Sequence, residues 1–243
     1  MSALADNLHR VQERIASAAR RGGRDPSEVT LVAVTKTHPP ETILEAHDLG
    51  VRHFGENRVE EAAGKIPLVH SSFILQPSAV VWHMIGHVQS RKAADAASLF
   101  EWVHSIDSLK LAGRLSRFAA QEGRTLRALL EFNLSGEASK YGLRAMTQHI
   151  DREPELLTEI ESILALPNLK VEGLMTLAPI VAEPGQARPI FRALRGLRDR
   201  LAARFPQSAW PHLSMGMTDD FEAAIEEGAT LVRIGRAIFG ERR

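Results

Sequence analysis

Eight short apolar stretches, each separated from the next by a segment of helical pattern, run through almost the whole chain. They lie at residues 30–35, 53–57, 80–85, 102–106, 127–134, 171–177, 212–215 and 230–234. Helical patterns follow them at about 41–49, to Lys65, and over 89–99, 108–122, 145–166 (with a break near Pro154), 187–204 and 219–227. Loops are expected at 66–80, with Pro67 and Pro77, over the polar stretch 135–142, and at 178–186. Strict strand-then-helix alternation implies a parallel sheet. Eight such units in 243 residues predict an α/β protein, a closed TIM-type (β/α)8 barrel forming one domain over residues 1–243. An open doubly wound sheet is the alternative. Only Arg236 to Arg243 follow the last strand, too little for a full outer helix. Leu4, Leu8, Val11 and Ile15 recur at helical spacing before the first strand. This extra N-terminal helix, stopped at Gly22-Gly23, is expected to cover the strand 8/strand 1 side.

The first strand, Leu31-Val32-Ala33-Val34-Thr35, ends on Lys36. Side chains alternate across a strand, so Val32, Val34 and Lys36 share a face. An ammonium at the end of a buried strand is paired, neutralised, consumed in a covalent bond, or left as a rim lysine reaching water. In a barrel of this type the active site gathers at the carboxyl ends of the strands. Strands seven and eight end in Ser214-Met215-Gly216-Met217-Thr218 and Arg233-Ile234-Gly235-Arg236. Glycines there admit backbone N–H groups to an anion, Ser214 and Thr218 offer hydroxyls, and a helical turn starts at Ala237. The plainer reading makes Gly216 and Gly235 turn glycines. By alternation Arg233 points into the barrel, where a guanidinium needs an acceptor; a structural ion pair with Glu56 is the plainer reading of that residue. A ligand with an aldehyde for Lys36, an acceptor for Arg233 and a phosphate for the glycine cradle satisfies all three, and pyridoxal 5'-phosphate (PLP) carries those groups.

Totals exclude other classes. Lys+Arg and Asp+Glu are both 30, so a broad basic nucleic-acid surface is not expected. The absence of cysteine removes disulfides, thiol chemistry and thiolate metal sites. No apolar run reaches membrane-spanning length and the N-terminus has no signal-like apolar core. A cytoplasmic protein with no membrane or nucleic-acid partner is the expectation.

Several motifs resemble those of the single-domain pyridoxal phosphate homeostasis proteins, whose barrel is similar to the N-terminal domain of alanine racemases. They are Ala33-Val34-Thr35-Lys36, Phe54-Gly55-Glu56-Asn57, Trp82-His83-Met84-Ile85-Gly86, His104-Ser105-Ile106-Asp107-Ser108, Gly173-Leu174-Met175-Thr176, Ser214-Met215-Gly216-Met217-Thr218-Asp219-Asp220 and Val232-Arg233-Ile234-Gly235-Arg236. The resemblance implies that Lys36 holds PLP as a Schiff base and that Arg233 faces the pyridine nitrogen. It implies that Ser214, Gly216, Gly235 and Arg236 hold the phosphate, with Met217 in the same loop. Asn57, His83 and Met84 are expected beside the cofactor, and His104 one layer behind. Two positions depart from the family pattern: Arg58 stands where many relatives have tyrosine, and Arg236 where many have a small residue.

Alanine racemases use a second base, a tyrosine from a following domain. Here the chain ends at Arg243, and its one tyrosine, Tyr141, falls in a loop. The expected function is therefore PLP binding for homeostasis, by buffering or by delivery to PLP-dependent apoenzymes, without strong catalysis and as a monomer. The alternatives are a PLP-dependent amino-acid racemase, or a cofactor-free Schiff-base aldolase drawing on His38, Glu56 or His83.

Overall fold

Val32 and Val34 turn inward and Ala33 outward, and that alternation sorts the whole first strand into two apolar layers. The computed structural model describes residues 2–72, 80–137, 141–144 and 153–241. Its strands are β1 (Thr30–Val34), β2 (His53–Glu56), β3 (Val81–Met84), β4 (Trp102–Ile106), β5 (Leu126–Glu131), β6 (Leu169–Met175), β7 (His212–Ser214) and β8 (Leu231–Ile234). All neighbours pair in parallel, and β8 returns to β1 with Val32 opposite Arg233, so the barrel is closed. The open-sheet alternative is thereby excluded.

Helices α1 (Ala3–Arg21), α2 (Pro40–Asp48), α3 (Val59–Ser72), α4 (Ala93–Leu99), α5 (Leu109–Gln121), α6 (Pro154–Leu164), α7 (Arg188–Arg204), α8 (Phe221–Glu226) and α9 (Arg236–Phe239) are described around it. The larger apolar layer lies between strands and helices, with Phe54, Trp82, Met84 and Val232 in it. The inner layer is small, comprising Val32, Val34, Ile85, Trp102, Leu129, Met175 and Leu231. Val81 and Leu177 pack against it, and the interior also holds the polar side chains of His83, His104, Ser214 and Arg233.

Helix α1 starts at Ser2, whose hydroxyl accepts from the Ala5 N–H, and stops at Gly22. Leu4, Leu8, Val11 and Ile15 form its buried stripe, each worth about 2 kcal/mol of apolar transfer. It packs on α8 and α9, the elements flanking β8, so the chain's first helix completes the outer layer where the last one is too short. Arg14 and Arg21 tie it to Glu222 and Glu226, and Arg24 donates to the carbonyls of Ile225 and Ala229.

Several boundaries differ from the sequence reading. Helix α3 continues past Lys65 to Ser72 through Pro67, where a loop was expected. Ile66 and Val69 extend the buried stripe begun by Val59 and Ala62, and that burial outweighs the proline's lost hydrogen bond. Strand β5 ends at Glu131 and β6 at Met175, each a few residues short of the expectation. At the end of the loop expected over 178–186 and into the first residue of the helix expected after it, residues 184–187 form a 3-10 turn. Helix α6 opens with Pro154 in its first turn, and the part of its expected span at 145–152 lies outside the described residues.

Candidate functional site

Lys36 lies two residues past the end of β1 and lines a cavity of about 1100 Å³ at the carboxyl end of the barrel. Its two neighbours are held on the opposite side of the strand. The Thr35 hydroxyl donates to Glu56 Oε1 at 2.7 Å, and Lys65 Nζ on α3 donates to the Thr35 carbonyl at 2.9 Å. Lys65 also bridges Glu56 and Glu61, at 2.9 and 2.8 Å. Glu61 in turn accepts from the Thr37 N–H, and Thr37 sits at φ +69°, a strained value for a β-branched residue. The backbone on both sides of Lys36 is thus clamped by one buried ion cluster. Burial raises the Glu56 carboxyl above its ordinary value, against the pull of Lys65 and Thr35. For Glu61 burial acts the same way but is outweighed by Lys65 and the Thr37 N–H, leaving it lowered.

This cluster corrects one sequence expectation. Glu56 does not pair with Arg233. It shares the outer face of β2 with Phe54 and is fully buried against α3. Lys65 and Glu61 escaped the sequence reading, although their four-residue spacing on a helix was visible; what was not visible is that this face turns inward.

Arg233 enters the barrel from β8 and reaches the cavity floor. Its guanidinium donates to Ser214 Oγ at 2.5 Å and to the Thr176 carbonyl at 3.0 Å. Burial lowers its pKa to about 10, against the nearby carboxylates of Asp220 and Glu131, so it stays charged at neutral pH. Ser214 is therefore committed to Arg233 and is fully buried; its hydroxyl is corrected from phosphate ligand to partner of the arginine.

The β7 and β8 loops supply Met217, Thr218, Gly235 and Arg236 to the cavity wall. Gly216 lies behind them at φ +93°, where a Cβ would come within 2.6 Å of the Ala224 methyl. Only glycine lets this turn close on α8. A Cβ on Gly235 would meet the Val34 carbonyl at 3.1 Å, so that loop lies tight against β1. The Arg236 side chain is ion-paired with Asp219 and, at 3.5 Å, with Glu241 on the exposed rim.

His83 and Met84 cannot both face the cavity, since neighbours on a strand point opposite ways. Met84 is in the outer core between β3 and the helices and is withdrawn from the site. His83 points into the barrel but below the cavity, fully buried, bonded to His53 and His104. Asn57 lines the cavity after β2. Two wall residues were not singled out as ligands from sequence. Glu131, at the end of β5, is buried with Oε2 lacking a hydrogen-bond partner among the described residues. Burial, and then the charge of Asp107, raise its pKa to about 7. Tyr141 stacks on His87 with ring centroids 3.7 Å apart, and His87 is 3.2 Å from Asp107.

The chain's relatives carry the same barrel. The sequence profile of the family described as alanine racemase, N-terminal domain, matches residues 1–243. A protein of Aquifex aeolicus named pyridoxal phosphate homeostasis protein is 42% identical over 239 residues, covering 98% of each chain. One of the same name from Pseudomonas aeruginosa is 43% identical, covering 100% of this chain and 97% of its own length. The solved structure of PipY of Synechococcus elongatus PCC7942 with PLP bound superposes with a TM-score of 0.78 at 36% identity, covering 95% of this chain and 100% of that one. With a family match over its whole length and relatives above 40% identity along nearly all of it, the chain belongs to the pyridoxal phosphate homeostasis proteins, within the alanine racemase N-terminal domain family.

Proposed function

We propose that this protein binds pyridoxal 5'-phosphate in the cavity above Arg233 and serves PLP homeostasis by holding and releasing the cofactor. The observation that carries the reading is the convergence of Lys36, Arg233 and the Gly235 loop on one cavity. The donor set fits the group. Lys36 supplies an amine, Arg233 a fixed donor for a ring nitrogen, and Thr218 with the Gly235–Arg236 backbone a place for a phosphate. Val34, Ile85 and Leu177 supply apolar wall for a ring. PLP supplies an aldehyde that condenses with the lysine amine, losing water, to a Schiff base. The chain's own part is to orient and to retain. The Lys65 cluster holds the backbone on both sides of Lys36, and Arg233, which keeps its proton, offers an acceptor-seeking N–H and not a carboxylate. A ring nitrogen met that way stays unprotonated and is a weak electron sink, which disfavours strong catalysis.

Delivery to PLP-dependent apoenzymes is the natural use of such a store. The cofactor-free aldolase reading is disfavoured, because of its acid–base candidates only His38 lines the cavity; Glu56 is on the outer face and His83 lies beneath. Tyr141 on the cavity wall is the specific observation behind a second reading, slow racemisation of an amino acid. Interconversion of L- and D-alanine by the native protein and Tyr141→Phe tests it; equal, negligible turnover dismisses it.

The primary test is the visible spectrum of the protein with PLP, for native and Lys36→Ala, before and after borohydride, with peptide mapping. A long-wavelength band in the native protein, locked by reduction onto Lys36 and absent from the variant, is expected. No band on addition of PLP would overturn the proposal.

A further inference from the structure

Beneath the cavity five side chains are joined in one line across the barrel interior. Arg233 of β8 donates to Ser214 Oγ of β7. Ser214 Oγ is 2.9 Å from His104 Nδ1 on β4, His104 Nε2 is 2.9 Å from His83 Nδ1 on β3, and His83 Nε2 is 2.9 Å from His53 Nδ1 on β2. Ser214, His83 and His104 are fully buried, and His53 is half-buried at the opposite end of the barrel. Trp102 stacks on His83 with an interplanar angle of 17°, fixing its ring plane.

The direction of this line follows from what each group can donate. A guanidinium only donates. A serine hydroxyl has one proton, and Ser214, filled on one side by Arg233, has His104 Nδ1 as its remaining partner among the described residues. If Nδ1 carried the proton, the buried Ser214 O–H would be left without an acceptor, at a cost comparable to a lost hydrogen bond. So Nδ1 accepts and the His104 proton is on Nε2. That N–H donates to His83 Nδ1, which puts the His83 proton on Nε2, and the same holds for His53. Each ring turns its bare nitrogen, the negative end of its dipole, toward Arg233. A second proton on His83 or His53 would put two N–H groups face to face, and one on His104 would set an N–H against the Ser214 O–H. Burial independently disfavours the charged form of all three, and for His104 the charge of Arg233 adds to it.

We propose that His104, His83 and His53 are positioning residues that act through Ser214, a one-way line of neutral Nε2–H imidazoles that orients the Arg233 guanidinium and holds its charge beneath the cofactor cavity. The line itself is a property of this chain; its effect on cofactor binding rests on the PLP reading above. Arg233 is then held at one N–H by Ser214 and at another by Thr176, with the rest of its edge left for a ligand.

Two measurements test the two parts separately. The first uses the protein without added cofactor, 15N-labelled at histidine, and reads tautomers by long-range proton–nitrogen correlation. His53, His83 and His104 are expected neutral with the proton on Nε2 from about pH 6 to about pH 8. Either a proton on Nδ1 or a doubly protonated ring in the native protein would overturn the line, and no variant is needed for that result. The second compares PLP affinity in native, His104→Phe and His104→Gln, each checked for an unchanged circular dichroism spectrum. Glutamine keeps an acceptor toward Ser214 and a donor toward His83; phenylalanine keeps neither. Phenylalanine is expected to weaken PLP binding about tenfold and to shift the visible band, and glutamine to restore most of both. Equal affinity and spectrum in the two variants would overturn the positioning role. If the native protein takes up no PLP, the PLP reading fails while the tautomer measurement still decides the line.

Discussion

At the scale of single residues, Glu131 is a group whose state depends on where it stands. Its carboxyl is buried at the cavity wall near Asp107 and keeps its proton up to about pH 7 in the folded protein, whereas the unfolded chain releases it near 4.5. Below both values the residue is neutral in either state and costs nothing. Between them the folded state binds more protons than the unfolded one, so stability contributed here falls as pH rises. Above pH 7 the cost levels off at about 3 kcal/mol. Glu131→Gln should therefore match the native protein near pH 4.5 and exceed it by about 3 kcal/mol at pH 8, measured by urea unfolding at both. A gain that is the same at both pH values would show that the carboxyl ionises normally. The facing of most other site residues was legible in advance, because strand alternation alone sends Val32, Val34 and Arg233 to one side. Met84 was misplaced where a contiguous motif was read against that alternation, and Ser214 where a hydroxyl near glycines suggested an anion ligand. The depth of Glu131 has no signature in composition or spacing.

At the scale of elements, α3 is the support of the loop that presents Lys36. Lys65 is 7% exposed at its side chain and Glu56 not at all, so neither charge is solvated by water and each depends on the other. Removing one partner of such a pair leaves an uncompensated buried charge, at a cost of about 3–5 kcal/mol. Lys65→Met should lose about that much in urea unfolding, and Lys65→Met combined with Glu56→Gln should recover more than half of it. Equal losses in the single and double variants would mean that the helix and not the ion pair is what Lys65 supports. The alternation of strands and helices was legible because each element keeps one apolar period over several residues. The length of α3 was not, because Pro67 is a local stop signal that the buried stripe of Ile66 and Val69 overrides.

At the scale of the whole molecule, the cavity at the carboxyl end of the barrel is walled in part by apolar Val34, Ile85 and Leu177 and floored by Arg233, and the loops after β7 and β8 are packed tightly on α8 and β1. A ligand that touches β1, β7 and β8 at once bridges the seam where the barrel closes, and where α1 in place of a late helix covers the outside. Binding there should stabilise the global fold, by about 2.7 kcal/mol at a ligand concentration a hundredfold above Kd. For a chain of 243 residues that corresponds to a rise in Tm of about 5–10 °C. The contributions of the two ends of the ligand separate by comparison. 5'-Deoxypyridoxal keeps the aldehyde and ring nitrogen but lacks the phosphate, and has no hydroxyl to close on the aldehyde, so at equal concentration it should raise Tm by much less than PLP in the native protein. In Lys36→Ala, PLP should keep part of its effect through the loops after β7 and β8 and Arg233, while 5'-deoxypyridoxal, left with Arg233 alone, should lose most of what it had. If 5'-deoxypyridoxal and PLP raised Tm equally in the native protein, the loops after β7 and β8 would be turns and nothing more, and the ligand would be held by Lys36 and Arg233 alone.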